Sequence, residues 1–247
     1  MILLIAIVIN LWSRFHKENP EEENVISSAT ILHKLDEKAQ MIESGIVSTQ
    51  INQMVIGQDK VSYLDDSRFS NDTQYTTFRS GDEENKVEFY MTKDMSYLYK
   101  PEEKKWFKYP TVNDDAIDIR ETVKDISVIL QDPTISQDKE HYILTGTYKG
   151  DELSDEQLTQ VIHELSSNDN SVDYQNVEFN SIKYEVKIHK DSYYLDEITF
   201  TVDMNEIVDD ENQRLMQKVH TTYSDFNKIK PIVIPNKVKE QAIEING

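Results

Sequence analysis

The chain has 247 residues, with 46 acidic and 26 basic side chains for a net charge of −20, a balance that argues against nucleic acid or an anionic lipid surface as partner of the folded body and leaves a basic peptide electrostatically open. Hydrophobic residues at 38% indicate a folded chain rather than a disordered one, long enough for one large or two small domains. There is no cysteine, so disulfides, thiolate zinc sites, a cysteine nucleophile and a lipidated cysteine are excluded in this sequence.

Residues 1–12, MILLIAIVINLW, form a strongly apolar run. It is shorter than the roughly 20 residues a membrane-crossing helix needs and matches the core of a signal peptide. Arg14 and Lys17 lie behind it, on the side the positive-inside rule assigns to the cytoplasm, so a weak uncleaved anchor is the other reading and a buried strand the third. Residues 13–24 are charged, contain Pro20 and read as a linker to a domain over 25–239, with 240–247 as a C-terminal tail.

Ser27 or Ser28 opens an amphipathic helix with Ile31, Leu35, Ala39 and Ile42 on one stripe, and Gly45 is expected to stop it. From Ile46 the period changes to two, with Val47, Thr49, Ile51 and Val55 on one face of a strand. Residues 62–80 are polar and aromatic, with one strand in which Tyr75, Thr77 and Arg79 oppose Thr76 and Phe78, followed by a turn at 81–85. Val87, Phe89 and Met91 form the next apolar face. In SYLYKPEEKKWFKYP, two short strands flank a charged turn holding Pro101, and Trp106 suits cross-strand packing better than ligand stacking.

Ile119, Val123, Ile126 and Leu130 return to helical spacing and Asp132-Pro133 ends that run. Tyr142, Leu144 and Tyr148 alternate in a strand that stops at Gly150. Ser154-Asp-Glu-Gln157 is a capping box that introduces a helix with Leu158, Val161, Ile162 and Leu165 on one stripe. Residues 166–173 read as a loop, 205–214 as an acidic excursion, 215–226 as a strand and Ile232–Ile234 as a short edge segment between two prolines.

The stretch that organises these elements is residues 180–205, NSIKYEVKIHKDSYYLDEITFTVDMN. Ile182, Tyr184, Val186 and Ile188 alternate with polar residues, and after a polar turn so do Ile198, Phe200, Val202 and Met204. This is an antiparallel hairpin with one apolar face that needs a cover. Strands arriving in consecutive runs favour an α+β fold, a curved antiparallel sheet partly enclosing about three amphipathic helices.

No catalytic or metal signature accompanies this pattern. The histidines are not spaced as a helical metal pair, and His163-Glu164 lacks the second histidine of a zinc-protease motif. Asn168-Asp169-Asn170 with Asp173 lacks the central glycine and closing glutamate of a calcium loop and reads as a solvated turn. Phosphate loop, dinucleotide fingerprint and serine elbow are missing, so a non-enzymatic role without cofactor or metal is expected. What remains is the sheet. An apolar face covered incompletely by helices leaves a cleft for a lipid or other hydrophobic small molecule. The ligand-cleft candidates are Ile182, Tyr184, Val186, Ile188, Ile198, Phe200, Val202 and Met204, with Val87, Phe89 and Met91.

The helix SSATILHKLDEKAQMIES, the segment KVEFYMTKDMSYLYKPEEKKWFKYP, the mid-chain helix and the closing TTYSDFNKIKPIVIPNKV together resemble Gram-positive, membrane-attached, lipoprotein-type proteins of the LolA/LppX-like superfamily, a group largely without assigned function. The resemblance covers about residues 25–239 and implies a half-open antiparallel barrel around helices on the extracytoplasmic face of the cell membrane, with lipid or acyl chains in the cavity of the better-known relatives. Leu11-Trp12-Ser13-Arg14 stands where such proteins carry a lipobox cysteine, which makes an uncleaved N-terminal anchor the expected replacement. The alternative function is a protein-interaction or envelope-sensing module with a closed core, in which Tyr99, Pro101 and Trp106 of the hairpin meet a partner at the cell surface.

Overall fold

The computed structural model describes residues 26–55, 60–81, 86–111, 116–168, 177–208 and 211–245. The apolar run 1–12, the linker and most of the loop at 166–173 lie outside the described residues.

Three helices form as their caps and stripes dictate. The Ser27 hydroxyl accepts from the Thr30 N–H at 3.2 Å and starts α1 (Ser28–Ala39), which buries Ile31, Leu35 and Ala39. The helix ends at Ala39, and Gly45 is a strand residue instead of its stop. A Cβ at Gly45 would lie 2.9 Å from the ring of Phe69 and 3.0 Å from that of Phe226, so close packing is what requires glycine there. Asp118 caps α2 (Ile119–Ile129) by accepting from the Arg120 N–H at 2.9 Å, and Ile119, Val123, Ile126 and Ile129 are buried. The capping box before α3 (Asp155–Asn168) is formed in both directions. The Gln157 N–H donates to the Ser154 hydroxyl at 3.2 Å and the Ser154 N–H to the Gln157 side chain at 3.1 Å.

The strands are β1 (Ser44–Val55), β2 (Val61–Ser70), β3 (Thr73–Ser80), β4 (Val87–Thr92), β5 (Met95–Lys100), β6 (Lys105–Pro110), β7 (Thr134–Gln137), β8 (His141–Lys149), β9 (Val177–His189), β10 (Leu195–Val208), β11 (Glu211–Ser224) and β12 (Ile243–Glu244). Among the described residues they make one sheet in the order β12-β6-β5-β4-β3-β2-β1-β11-β10-β9-β8-β7. Every pair is antiparallel except β12 with β6, which is parallel. The fold is thus α+β, with a large, curved, mostly antiparallel sheet. It does not close into a barrel: β7 and β12 are its edges.

Several elements differ from their sequence reading. The stretch 62–80 is two strands, with a tight turn at Asn71-Asp72 in which Asn71 has φ 50°. Its many serines and aspartates hide the alternation of β2. The acidic excursion belongs to β10 and β11, which pair from Glu197↔Thr222 to Val208↔Glu211. Ile232–Ile234 is not a strand; a short helix, α4 (Asn236–Gln241), follows it, and Ile243 of the expected tail pairs with Phe107.

The sheet's two halves meet at β1–β11, so the first and last long strands are neighbours at its centre. The core sits on one half. Helix α2 packs between α1 and α3. All three bury their stripes with the inner residues of β9, β10 and β11 and with Leu144, Ile51 and Phe69. The other half of the same inner face, on β3 to β6, contributes no residue to this cluster.

Candidate functional site

Strand parity and register decide which side chains share the inner face. Ser67 stands opposite Val47 and Thr76, and Thr76 opposite Phe89; Phe89 in turn stands opposite Leu98, and Leu98 opposite Phe107. The neighbouring row runs from Thr49 through Asp65 and Phe78 to Val87. Phe78, Val87, Phe89, Leu98 and Phe107 are half-buried and lie outside the packed core, so they floor an apolar trough beside the helices.

One end of the trough is shut. Gln74, Met91 and Ser96, one row further on, are buried. Thr111 donates to the Thr92 carbonyl at 2.7 Å and shares a hydrogen bond with the Ser96 hydroxyl at 2.9 Å. The Ile117 N–H donates to the Gln74 side chain at 3.1 Å, so the connection from β6 to α2 is tied down at both of its described ends. A half-open pocket of 460 Å³ lies there between α1, α2 and the sheet, with Ile42, Phe69, Met91 and Ile119 among its apolar lining and Glu43, Asp72, Lys93 and Arg120 among a larger polar share.

Along the border between trough and core runs a chain of polar side chains. The Gln74 amide donates to the Thr76 hydroxyl at 2.9 Å, Thr76 and Ser67 share a bond of 2.7 Å, and the Ser67 hydroxyl donates to the Asp65 carboxylate at 2.9 Å. Asp65 ends the chain. Burial pushes its pKa from 3.8 up to about 6; the Ser67 hydrogen bond pulls the other way and the charge of Asp66 adds to the rise. Tyr63, two residues earlier on the same face, stacks on Phe78 with ring centroids 5.8 Å apart.

The residues singled out in the sequence fall into three places. Ile182, Tyr184, Val186 and Ile188 of β9 and Ile198, Phe200, Val202 and Met204 of β10 all face inward, and none is more than 3% exposed. The helices fill the space above them, so they are core and line no open cleft. Val87 and Phe89 lie in the trough, and Met91 lines the pocket at its shut end. Tyr99 and Trp106 pair across the β5–β6 hairpin with rings 5.3 Å apart, and Pro101 begins its turn. They belong to the opposite, outer face, where Trp106 also meets Tyr90 at 5.7 Å and Tyr90 meets Tyr75 at 4.6 Å. Burial and a hydrogen bond to Glu88 push the Tyr75 phenol up.

Asp65 was not singled out by sequence reasoning. The available signal was its phase: Tyr63, Asp65, Ser67 and Phe69 alternate, which puts a carboxylate on a face otherwise apolar or hydroxylated. Among the described residues no group of histidine and carboxylate side chains is placed to hold a metal. His141 stands between Asp138 and Asp196, with its ring nitrogens 3.1 and 3.2 Å from their carboxylates, at the start of β8. No helix among the described residues is long and apolar enough to cross a membrane.

No curated protein matches the chain. Its structure is similar to that of a LolA superfamily protein from Nitrosomonas europaea, with 10% identity, a TM-score of 0.30 and coverage of 86% of this chain and 97% of that one. It is also similar to an uncharacterized conserved protein from Thermus thermophilus, with 10% identity, a TM-score of 0.35 and coverage of 89% and 100%. Both likenesses are too distant to transfer a ligand or a residue's role. Sequence similarity is closer in one respect: residues 27–243 match the model of DUF6612, a family of unknown function, and the chain belongs to that family.

Proposed function

We propose that the protein binds a lipid or other hydrophobic ligand in the trough over β3 to β6, as a binding protein without catalysis. The observation that carries this reading is the split of the inner face: Phe78, Val87, Phe89, Leu98 and Phe107 share a face with the core yet lie outside it. Large apolar side chains gathered on a concave surface are what ligand clefts present. Covering about 200 Å² of apolar surface at roughly 25 cal/mol per Å² is worth about 5 kcal/mol, enough to hold an acyl chain.

The same proposal places the domain outside the cytoplasm, held at the membrane of a Gram-positive cell by residues 1–12. The apolar composition of that run supports it. Protease treatment of intact cells tests it, and a domain protected until lysis would refute it.

Native mass spectrometry of the purified protein tests the ligand. Lipid or another apolar molecule should co-purify and be lost from Phe89→Asp and Leu98→Asp variants whose melting curves remain cooperative. Protein that is always ligand-free and takes up no added lipid would refute the binding reading. The interaction module would then stand, with the outer-face row of Tyr75, Tyr90, Trp106 and Tyr99 as its surface.

A further inference from the structure

We infer that the ligand of the trough is a cationic amphiphile, whose ammonium group pairs with Asp65 beside the stacked rings of Tyr63 and Phe78 while its apolar chain lies along Phe89 and Leu98. The inference rests on the trough being the binding surface and adds the chemistry of the head group.

Asp65 is the only acid among the described inner-facing residues of β2 to β6. No lysine, arginine or histidine among the described residues forms an ion pair with it, and the charge that acts on it is another carboxylate, Asp66. The hydrogen bond described for its side chain is the one from Ser67 to Oδ1, well short of the roughly four that a carboxylate can accept. A largely buried carboxylate without a counter-charge is costly, and a bound cation would supply the missing partner. The aromatic surroundings suit the same group. Phe78 stands directly opposite Asp65, and Tyr63 lies parallel to Phe78 within 18°. Ring faces beside a carboxylate attract an ammonium through their quadrupoles.

An anionic head group fits less well. It would meet Asp65 and a protein of net charge −20. The inward-facing cations of the trough are Lys100, which lies over the ring of Phe107 at 5.1 Å and 3.9 Å from Glu103, and Lys105, which stands opposite it on β6. They stand three and four strands from β2 and therefore about 14 Å or more across the sheet, out of reach of a head group held at Asp65.

Calorimetric titration of the full chain at pH 7.5 with three single-chain probes of equal length, each below its micelle concentration, tests the proposal. The probes are dodecyltrimethylammonium, the neutral dodecyl maltoside and laurate. The ammonium probe should bind at least about tenfold more tightly than the neutral one, and laurate more weakly than either. Asp65→Asn should bring the ammonium probe down to the affinity of the neutral probe. Asp66→Asn, which removes an equal charge from the opposite face, should keep the preference, so general attraction to an acidic protein is separated from recognition. Equal affinity for ammonium and neutral probes, or a preference that survives Asp65→Asn, would overturn the inference while leaving hydrophobic binding intact. Failure of all three probes to bind would overturn the trough reading and this inference with it.

Discussion

Phe78 stands directly opposite Asp65 across the β2–β3 pair, so an aromatic ring and a largely buried carboxylate occupy one cross-strand site. The pairing has a consequence for stability. Burial raises the Asp65 pKa from 3.8 to about 6, so the folded state holds that proton more tightly than the unfolded chain does. Between these values the folded state binds more protons, and stability falls as pH rises through the window. Above about pH 6 the folded protein carries the whole cost, on the order of 3 kcal/mol at 1.4 kcal/mol per pKa unit. Asp65→Asn is therefore expected to melt several degrees higher than the parent protein at pH 7.5, and the gap should shrink toward zero by pH 4. Melting curves of both proteins across that range check it, and a gap independent of pH would mean that burial does not perturb this carboxylate.

The division of the inner face into core and trough predicts unequal costs for the same substitution. Phe200 is 1% exposed and packs edge-on against Tyr184 at 5.3 Å. Phe200→Ala should lose about 3–5 kcal/mol, as expected for a large ring removed from a filled interior. Phe89→Ala, on the trough floor, should lose no more than about 1 kcal/mol. Urea unfolding measures both, and equal losses would place the trough inside the packed core.

These contrasts show where the sequence is readable. Alternation in β9 and β10 and the stripes of α1, α2 and α3 are regular because the faces they define are uniformly apolar. The Ser154–Gln157 box is legible for the same reason, since a local hydrogen-bond exchange needs only the right residues at the right spacing. The hairpin of Tyr99 and Trp106 is likewise found where its turn residues put it. Strand β2 is harder to read, because Asp65 and Ser67 inside and Asp66 and Arg68 outside are polar on both faces and leave only Tyr63 and Phe69 to mark its phase. The split of the inner face into core and trough is not legible for a related reason. Periodicity tells that Val186 and Phe89 each face inward, but not that the first joins the core under the helices while the second stays outside it.

The turn after β8 predicts a third outcome. Gly150 follows the last β8–β9 pair, Lys149↔Ser181, and a Cβ on it would collide with the backbone carbonyl oxygen of Phe179. The obstacle is backbone, held in place because β9 is also paired to β10, so no side-chain rotation relieves it. Gly150→Ala should destabilise the protein by about 2 kcal/mol or more. A thermal melt unchanged within error would show that the turn moves away from β9 at little cost.

Gln157 gives the last prediction, because one side chain serves two helices. Its carbonyl oxygen accepts the Ser154 N–H at 3.1 Å and so completes the cap of α3, while its amide donates to the Ile129 carbonyl at 3.0 Å, at the C-terminal end of α2. Both bonds sit in a site where Gln157 is buried. Ser154→Ala removes the hydroxyl that caps the Gln157 N–H and should cost about 1 kcal/mol. Gln157→Ala removes both side-chain bonds and a buried side chain, although the Ile129 carbonyl keeps the Gln131 N–H as donor, so the expected loss is about 1–2 kcal/mol. Gln157→Glu separates the two roles. A carboxylate still accepts from the Ser154 N–H, but it cannot donate to the Ile129 carbonyl and brings a negative charge against it in a buried site. If the link between α2 and α3 matters more than the cap, the glutamate variant should be at least as unstable as the alanine one. Denaturant unfolding of the three variants decides this, and a glutamate variant no weaker than Ser154→Ala would show that the cap alone accounts for the role of Gln157.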